Sequence, residues 1–330
     1  MNLQRLKEFL GEDWEAVDRK IRTVLESGIP YLDSINDLVL SRSGKQLRPL
    51  ISILTARACG AGKANDASHR YAAAAELLHN ATLFHDDVAD QSDSRRGKPT
   101  VNSMFGPTVS VLLGDYWLVK AMDCLLYDGD AEMCMKVTRV FSKTLGDLAE
   151  GEMLQLDKAG DGDTTEADYE RIIYSKTASL FEAAALSAAI SVGASGTVEA
   201  AVGKYAVALG MAFQIRDDIF DYSCSSESVG KPVGVDILER KMTLPLLGAL
   251  RNVGASEEKE IRRKVGEIPE HPEYKEEIMS FVRENGGMEY ASRRLGDFVS
   301  EAVDALEVLP ASEEKNFLRD IAYFVGERLS

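Results

Sequence analysis

Two short stretches of the chain carry the same pattern of carboxylates. "HDDVAD" occupies residues 85 to 90 and "RDDIFD" occupies residues 216 to 221, and each follows an apolar segment. Residues three and four positions apart share one face of a helix, so each stretch would project its carboxylates from one side. Like charges this close together are unfavourable unless a cation binds between them, and an all-oxygen ligand set suits a hard cation.

Mg²⁺ fits this pattern better than Ca²⁺. It binds one or two carboxylates together with substrate phosphates, whereas an EF-hand needs a loop spacing and a central glycine that neither stretch has. Basic residues follow each stretch and could hold phosphate oxygens directly. They are Arg95, Arg96 and Lys98 after the first and Lys231, Arg240 and Lys241 after the second. A solvated helix end would explain one such stretch equally well, but the repetition favours a site for metal and phosphate.

The composition restricts the class of protein. With 330 residues, of which 45% are hydrophobic and 28% charged, the chain has the profile of a globular protein. Its net charge of −16 is a poor match for a nucleic-acid backbone, so we expect no nucleic-acid partner.

The compartment is predicted from the N-terminus, the apolar stretches and the cysteines. The N-terminus lacks the apolar core of a signal peptide. Apolar stretches such as residues 183 to 194 are shorter than the roughly 18 residues of a membrane span. The cysteines, at positions 59, 124, 134 and 224, show no metal-ligand spacing and suit a reducing compartment. We therefore expect a cytoplasmic protein with no transmembrane segment.

The secondary structure is predicted to be almost wholly helical. Residues 69–90, 167–190 and 198–222 are rich in Ala and Leu and apolar nearly all round, which is typical of helices buried inside a bundle. Thr165 followed by Asp168 predicts a capping box at a helix start.

Turn-forming residues predict the loops. These fall at residues 60–66, 92–100, 158–168, 223–234 and 284–287. No linker or low-complexity segment separates parts of the chain, so we predict one all-α domain over residues 1–330.

Further motifs accompany the two acidic stretches. They are "GKQLRPL" (44 to 50), "HNATLFHDDVADQSDSRRGKPTVNSMFG" (79 to 106), "LLGDY" (112 to 116), "GEMLQL" (151 to 156), "YSKTASLFEAA" (174 to 184), "GMAFQIRDDIFDY" (210 to 222), "GKPVGVDILERKMTLPLL" (230 to 247) and "GGMEYA" (286 to 291). In this order they resemble the trans-polyprenyl diphosphate synthases, and most closely the bacterial octaprenyl type. The resemblance covers nearly the whole chain.

The resemblance implies a fold and a reaction. The fold is the isoprenoid synthase fold, a single-domain bundle of long antiparallel helices around a deep central cavity, usually in a homodimer. The reaction ionises an allylic diphosphate, here expected to be farnesyl diphosphate. The double bond of isopentenyl diphosphate attacks the allyl cation, and loss of a proton leaves a product one isoprene unit longer, used for quinone side chains. The two acidic stretches would grip the departing diphosphate from opposite sides through Mg²⁺, of which three ions are expected.

The resemblance also implies roles for individual residues. Asp86, Asp90 and Asp217 are expected to bind Mg²⁺, supported by Asp87, Asp218 and Asp221. The allylic diphosphate is expected to contact Arg95, Lys176, Thr177, Gln214, Lys231 and Lys241. Isopentenyl diphosphate is expected to bind Lys45, Arg48, His79 and Arg96 without metal. Gln46 and Leu47 stand where relatives often carry a basic residue, and we expect Arg216 to form only a salt bridge.

Product length is predicted from the residues below the first acidic stretch. Thr82 lies one helical turn before Asp86, with Ala81 beside it and Leu78 a further turn away. In the family, short-chain synthases carry an aromatic residue at this wall, so small side chains leave the cavity open. We expect the floor to lie deeper, at Trp117 or Met122, and the product to be hexaprenyl to octaprenyl or longer.

Other functions are compatible with parts of this pattern. A short-chain synthase would share every motif and differ only in the wall. A class I terpene cyclase also ionises an allylic diphosphate, but its second metal motif is normally of an Asn/Ser/Glu type. A non-catalytic synthase subunit would be expected to have degraded acidic stretches.

Overall fold

Helices make up nearly all of the chain. The computed structural model describes residues 3–42, 44–95, 97–126, 129–223 and 233–327. The strands in these ranges form a short antiparallel hairpin between Ser94–Arg95 and Lys98–Pro99. The prediction of an all-α protein is confirmed.

The backbone is organised in two compact units. The first comprises Met1–Ser142, Ala183–Gly203 and Val308–Leu318. The second comprises Lys143–Glu182, Lys204–Glu307 and Arg319–Ser330. The single domain over residues 1–330 stays a prediction.

The first unit carries most of the N-terminal helices. They are α1 (Leu3–Leu10), α2 (Glu12–Leu25), α3 (Pro30–Leu40), α4 (Leu47–Cys59), α5 (Asp66–Ala89), α6 (Val101–Phe105) and α7 (Pro107–Leu125). The second unit carries most of the remainder, although most of α10 and parts of α8, α11 and α17 belong to the first unit. These elements are α8 (Ala131–Asp161), α9 (Glu166–Ile173), a π-helical turn (Tyr174–Ala178), α10 (Ser179–Ser191), α11 (Gly196–Ser223), α12 (Val235–Leu238), α13 (Leu244–Leu250), α14 (Ala255–Gly266), α15 (Tyr274–Glu284), α16 (Gly287–Ala305), a 3₁₀ turn (Leu306–Val308) and α17 (Glu313–Glu327).

Helix α5, which carries the first acidic stretch, begins at a reciprocal cap. The Asn65 side chain accepts a hydrogen bond from the Ser68 backbone N–H, and the Ser68 hydroxyl accepts one from the Asn65 backbone. Such a box satisfies two backbone donors that a helix start leaves without partners. Its middle is buried on all sides, from Tyr71 through Leu78. This burial fixes α5 inside the first unit.

Helix α7 packs along α5 through interlocking side chains. The Trp117 indole lies edge-on to Phe84, with ring centroids 5.3 Å apart, and donates a hydrogen bond to Asn36 Oδ1 at 2.9 Å. The Ser110 hydroxyl donates to the Phe84 carbonyl at 2.9 Å. Trp117 is fully buried, and its one polar atom is satisfied, as a buried indole requires.

In the second unit, two glycines allow close packing against the π-helical turn. A Cβ atom on Gly210 of α11 would lie 2.5 Å from the Cα of Ala178. A Cβ atom on Gly151 of α8 would lie 2.6 Å from the Cβ of Ser175 and 3.1 Å from the Cγ of Lys176. π-helical turns are rare and frequently occur at functional sites. Here the turn contains Lys176 and Thr177, both predicted to contact diphosphate.

The helix predictions are largely confirmed. The stretches 69–90 and 198–222 lie within or one residue beyond α5 and α11, and Thr165 with Asp168 forms the capping box that opens α9. The predicted loop at 158–168 is partly wrong, because α8 continues to Asp161. Most of the predicted loop at 223–234 lies outside the described residues.

One described helix has the length and hydropathy of a membrane span. It is the segment Gly196–Tyr222 of α11, and 56% of its most apolar window is buried within the protein. A core helix of a globular protein passes the same test, because burial in protein and burial in lipid select similar compositions. Helix α11 is such a buried core helix.

Substituting Gly210 tests how tightly the π-helical turn is packed. Gly210→Ala places a methyl group against backbone atoms that cannot move aside alone, so we expect a loss of stability of about 1–3 kcal/mol. Gly146→Ala in α8 is the control, because nothing lies within 4 Å of its Cβ position. That variant should gain about 0.5–1 kcal/mol from higher helix propensity. Urea unfolding measures both, and equal effects would contradict the close packing.

Candidate active site

The first acidic stretch lies at the C-terminal end of α5. Asp86 is half-buried and Asp90 exposed, whereas Asp87 is buried. Asp87 accepts a hydrogen bond from Nε of Arg95 at 2.9 Å, and its backbone carbonyl accepts one from Asn102 Nδ2 at 3.1 Å. The stretch therefore divides into one carboxylate committed to protein donors and two that are more accessible to solvent.

The electrostatics of Asp87 match its burial. Withdrawal from water raises the pKa of this carboxyl, the Arg95 guanidinium opposes the rise, and the Asp90 carboxylate adds to it. Arg95, predicted to contact diphosphate, stands in the hairpin and is paired with Asp87. Arg96 lies outside the described residues.

His85, to which the sequence analysis assigns no role, anchors the start of this stretch to α7. His85 Nε2 lies 3.2 Å from Asp115 Oδ1 and 3.3 Å from the Val111 carbonyl oxygen. A Cβ atom on Gly114 would lie 2.3 Å from the same nitrogen, so a larger residue at this position would displace the ring. The "LLGDY" motif thus packs α7 against the residue that precedes Asp86.

The second acidic stretch lies near the C-terminal end of α11, and Asp218 is its buried member. Asp218 Oδ2 accepts a hydrogen bond from the Tyr169 hydroxyl at 2.6 Å, and Oδ1 accepts one from Gln214 Nε2 at 2.8 Å. The Thr177 hydroxyl donates to Gln214 Oε1 at 2.8 Å. A continuous chain of hydrogen bonds therefore joins α9, α11 and the π-helical turn.

The other two carboxylates of this stretch have different surroundings. Asp221 accepts hydrogen bonds from the backbone N–H groups of Val235 and Asp236, at 3.1 and 3.0 Å, and so holds the start of α12. Asp217 is 48% exposed and accepts from Arg216 Nη2 at 2.9 Å. Arg216 forms the expected salt bridge and lies over the Phe213 ring.

Burial raises the pKa of two carboxyls beside α11. Desolvation raises the pKa of Asp218 well above its ordinary value, and the nearby Asp236 carboxylate adds to the rise. Desolvation, with the Asp221 carboxylate, raises the pKa of Asp236 to about 6. In the absence of a cation, protonation therefore relieves part of the repulsion between these groups.

A cavity of about 150 Å³ in the second unit brings many of the predicted residues together. Its wall includes the predicted diphosphate contacts Lys176, Thr177, Gln214 and Lys241. Asp218, Asp236 and Tyr169 also border it, as do the cations Lys158 and Arg240. Four cationic side chains around one small space suit a multiply charged anion such as diphosphate.

Three of these cationic side chains form ion pairs with neighbouring carboxylates. Lys176 Nζ lies 2.6 Å from Glu152 Oε1 and donates to Gln155 Oε1 at 3.0 Å. Lys158 lies 2.9 Å from Asp163, and Lys241 pairs with Glu239. Lys231, predicted to stand beside them, lies outside the described residues.

The residues predicted to bind isopentenyl diphosphate belong to the first unit. Lys45 is exposed just before α4, while Arg48 of α4 and His79 of α5 are half-buried. Gln46 stands between the two basic residues with a left-handed backbone, φ 54°, and accepts a hydrogen bond from Lys7 Nζ at 3.0 Å. The convergence of Lys45, Arg48 and His79 on one diphosphate stays a prediction.

The predicted product wall lies on the same helix as His79. Leu78 and Ala81 are fully buried, and Thr82 is half-buried with its hydroxyl bonded to the His79 carbonyl. Trp117, one of the two expected floor residues, packs on Phe84, and Met122 is half-buried on α7.

Two further residues were missed by sequence reasoning. Tyr169 and Asp236 lie inside recognised stretches, but no spacing distinguished them from ordinary helical residues. Only the fold shows that Tyr169 reaches Asp218 and that Asp236 borders the same cavity.

Comparison with known proteins decides the family. The model of the polyprenyl synthetase family matches residues 29–282. The chain belongs to the polyprenyl synthetase family. It is a polyprenyl diphosphate synthase and therefore a prenyltransferase.

Individual relatives cover the full length. The chain is 37% identical to octaprenyl diphosphate synthase of Haemophilus influenzae, over 99% of this chain and 98% of that protein. A decaprenyl diphosphate synthase structure from Rhodobacter capsulatus is 33% identical, with a TM-score of 0.89 and complete coverage of both chains. A polyprenyl synthase structure from Caulobacter crescentus, complexed with calcium and isoprenyl diphosphate, is 33% identical with a TM-score of 0.87 and covers 100% of this chain and 98% of its own.

The residues present fit a metal that is bound together with substrate. Within the described ranges, no group of three or more His, Cys, Asp or Glu side chains could enclose a metal ion. Mg²⁺ does not need such a group, because it takes one or two carboxylates and completes its shell with water and phosphate oxygens. Each acidic stretch has carboxylate oxygens that suit this mode of binding, because Asp86 is half-buried and Asp90 exposed on α5, and Asp217 is 48% exposed on α11.

The raised pKa of Asp236 predicts a pH dependence of stability. The folded protein binds this proton more tightly than the unfolded chain, so stability falls as pH rises from about 4 to about 6. Asp236→Asn removes that contribution, and it also removes the carboxylate that adds to the raised pKa of Asp218, so it should flatten the fall. Melting temperatures from pH 4 to 7 in EDTA measure the difference. Parallel curves would contradict the raised pKa.

Proposed function

We propose that this prenyltransferase condenses isopentenyl diphosphate with farnesyl diphosphate to make a product of hexaprenyl to octaprenyl length or somewhat longer. The observation that carries this proposal is the cavity in the second unit, where an acidic stretch adjoins four cationic side chains. An allylic carbon loses diphosphate only if the charge developing on the leaving group is stabilised, and prearranged cations do this. The full-length similarity to an octaprenyl and a decaprenyl synthase supports a long product.

The reaction has three parts. The bond between the allylic carbon and diphosphate oxygen breaks, and its electron pair leaves with diphosphate. The double bond of isopentenyl diphosphate attacks the allyl cation and forms the new carbon–carbon bond. Loss of a proton from the adjacent carbon restores a double bond and gives the longer allylic diphosphate.

The side chains of the second unit have distinct tasks in this proposal. Lys176 and Lys241 leave their carboxylate partners to bind diphosphate oxygens as negative charge develops. Gln214 is hydrogen-bonded to both Thr177 and Asp218 and fixes the orientation of the two side chains. Tyr169 holds the Asp218 carboxylate in place, which makes Asp218 a supporting group and leaves Asp217 accessible to metal.

Mg²⁺, expected as three ions, would supply Lewis-acid stabilisation of the leaving diphosphate when bound to Asp86, Asp90 and Asp217. Asp87 and Asp221 would act as supporting groups, because protein donors already occupy them. Arg95 would contact both Asp87 and the allylic diphosphate.

The second substrate, isopentenyl diphosphate, keeps its diphosphate during the reaction and needs no metal. It would be bound by Lys45, Arg48, His79 and Arg96.

We also propose a cytoplasmic homodimer in which the two units act as one catalytic domain. The family match spans residues of both units, which supports one domain. Helix α7 carries exposed apolar side chains that a second copy could cover. They are Val111 (38% exposed), Leu112 (62%) and Val119 (57%), with Leu126 (63%) just beyond the helix end.

Carboxylate substitutions test the metal assignment. Asp86→Ala and Asp217→Asn should each lower turnover by about 10³-fold or more, because metal stabilisation of the leaving group is worth several kcal/mol. Asparagine at 217 retains an acceptor for the buried Arg216 and protects the fold. Asp304→Ala, which removes an exposed carboxylate on α16, is the control and should leave turnover unchanged. Near-normal turnover of either variant at saturating Mg²⁺ would refute the assignment.

Product length tests the wall. Ala81→Phe should truncate the product to farnesyl or geranylgeranyl diphosphate with metal binding unaffected, because the ring would enter the path of the growing chain. Leu78→Phe, one turn further along α5, should allow a product about one isoprene unit longer than Ala81→Phe does, since a helical turn is about 5.4 Å. Chromatography of dephosphorylated products from labelled isopentenyl diphosphate gives the lengths.

The same assay tests the proposed function. A wild type that stops at fifteen or twenty carbons would make the protein a short-chain synthase. An unchanged product from Ala81→Phe would show that this wall does not set the length.

A further inference from the structure

Arg240 occupies a backbone position that favours glycine. It follows α12, and its φ is 57°, in the left-handed region. The Lys241 N–H donates to the Asp236 carbonyl at 2.8 Å, and the Arg240 N–H donates to the Ile237 carbonyl at 2.9 Å. These two bonds define a Schellman motif, in which the residue at the Arg240 position is usually glycine because a Cβ atom is disfavoured there.

The same chain uses glycine for the same turn elsewhere. At the end of α10, the Ala194 N–H donates to the Ala189 carbonyl at 3.1 Å, and the Gly193 N–H donates to the Ile190 carbonyl at 3.0 Å. Gly193 has a φ of 69°. The arginine after α12 therefore carries a backbone strain that glycine would remove, and strain of this kind is concentrated at functional sites.

Arg240 is one of the residues that line the cationic cavity, together with Lys158, Lys176 and Lys241. The three lysines each pair with a carboxylate. Among the ion pairs of the described residues, none involves Arg240. Its guanidinium presents a planar fork of donors that matches phosphate oxygens better than an ammonium group does.

We propose that Arg240 is a further diphosphate-binding residue of this enzyme and that the strained turn is retained because it directs the guanidinium into the cavity. The proposal rests on the proposed function, since it deepens the account of the same cavity. A purely structural role, in which the guanidinium only neutralises Asp236, makes the opposite prediction. In that case the arginine would add stability and contribute nothing to anion binding.

Two variants separate the side chain from the backbone strain. Arg240→Gly and Arg240→Ala both remove the guanidinium, but only glycine relieves the left-handed backbone. Both should weaken the binding of inorganic pyrophosphate at fixed Mg²⁺, measured by calorimetry, by about 10- to 100-fold, as expected for hydrogen bonds to a charged group. Arg240→Gly should melt about 1–3 °C higher than the wild type and should fold readily.

Ala61→Gly is the matched control for relief of strain. Ala61 is exposed beyond the end of α4, has a φ of 54°, and lies in a turn closed by the Gly62 N–H on the Arg57 carbonyl at 2.8 Å. This variant should also melt slightly higher but bind pyrophosphate as the wild type does. In steady-state assays, Arg240→Gly should raise KM for farnesyl diphosphate about 10-fold or more and change KM for isopentenyl diphosphate by less than about 2-fold.

The binding experiment is independent of turnover. A wild type that binds pyrophosphate more tightly than Arg240→Gly, yet condenses no substrates, would remove the proposed function and leave the role of Arg240 standing. A pyrophosphate affinity of Arg240→Gly within about twofold of the wild type would overturn the proposal. A loss of affinity in Arg240→Ala but not in Arg240→Gly would also overturn it, because the guanidinium would then not be the cause.

Discussion

The requirement to hold carboxylates close together in a partly dry environment governs the structure around α11. Asp218 and Asp236 border one cavity, and burial raises the pKa of both carboxyls. Repulsion from Asp236 adds to the rise at Asp218, and repulsion from Asp221 adds to the rise at Asp236. A buried carboxylate is tolerated only if hydrogen-bond donors compensate for lost water. Tyr169 and Gln214 provide these donors to Asp218, and the backbone at the start of α12 provides them to Asp221.

Close packing of α8 and α11 against the π-helical turn places the side chains that surround these carboxylates. Gly210 and Gly151 bring α11 and α8 close to the π-helical turn, which carries Lys176 and Thr177 on its backbone. Thr177 then reaches Gln214, so the position of a cation and the orientation of a carboxylate depend on the same packing. In the first unit, the position of the His85 ring depends in the same way on its close contact with Gly114. His85 immediately precedes Asp86, so this contact also affects the first acidic stretch.

The parts of the fold that local chemistry determines could be predicted from the sequence. Long apolar segments predicted α5 and α11, and Thr165 with Asp168 predicted the start of α9, because periodicity and capping depend on neighbours in sequence. The acidic stretches could be recognised for the same reason. Lys176 and Gln214 could be placed only through the family resemblance, whereas the position of Lys241 after the second acidic stretch already indicated a phosphate contact. The structure brings these three residues to one cavity.

Features that depend on distant contacts could not be predicted. The bond from Tyr169 to Asp218 joins two helices, and no spacing in the sequence indicates it. The close packing of the π-helical turn requires glycines in two other helices. Arg240 has a left-handed backbone, a conformation that residues other than glycine rarely adopt. Local propensity fails most often where tertiary contacts or function impose a different conformation.

We propose that the protein holds Mg²⁺ only together with a diphosphate, because the accessible carboxylates of the described residues are too few to enclose the ion without phosphate oxygens. Calorimetric titration of Mg²⁺ into the wild type, with and without saturating pyrophosphate, tests this directly. We expect pyrophosphate to tighten Mg²⁺ binding at least about 10-fold, with a reciprocal effect of Mg²⁺ on pyrophosphate binding. Equal Mg²⁺ affinity in the two titrations would contradict it.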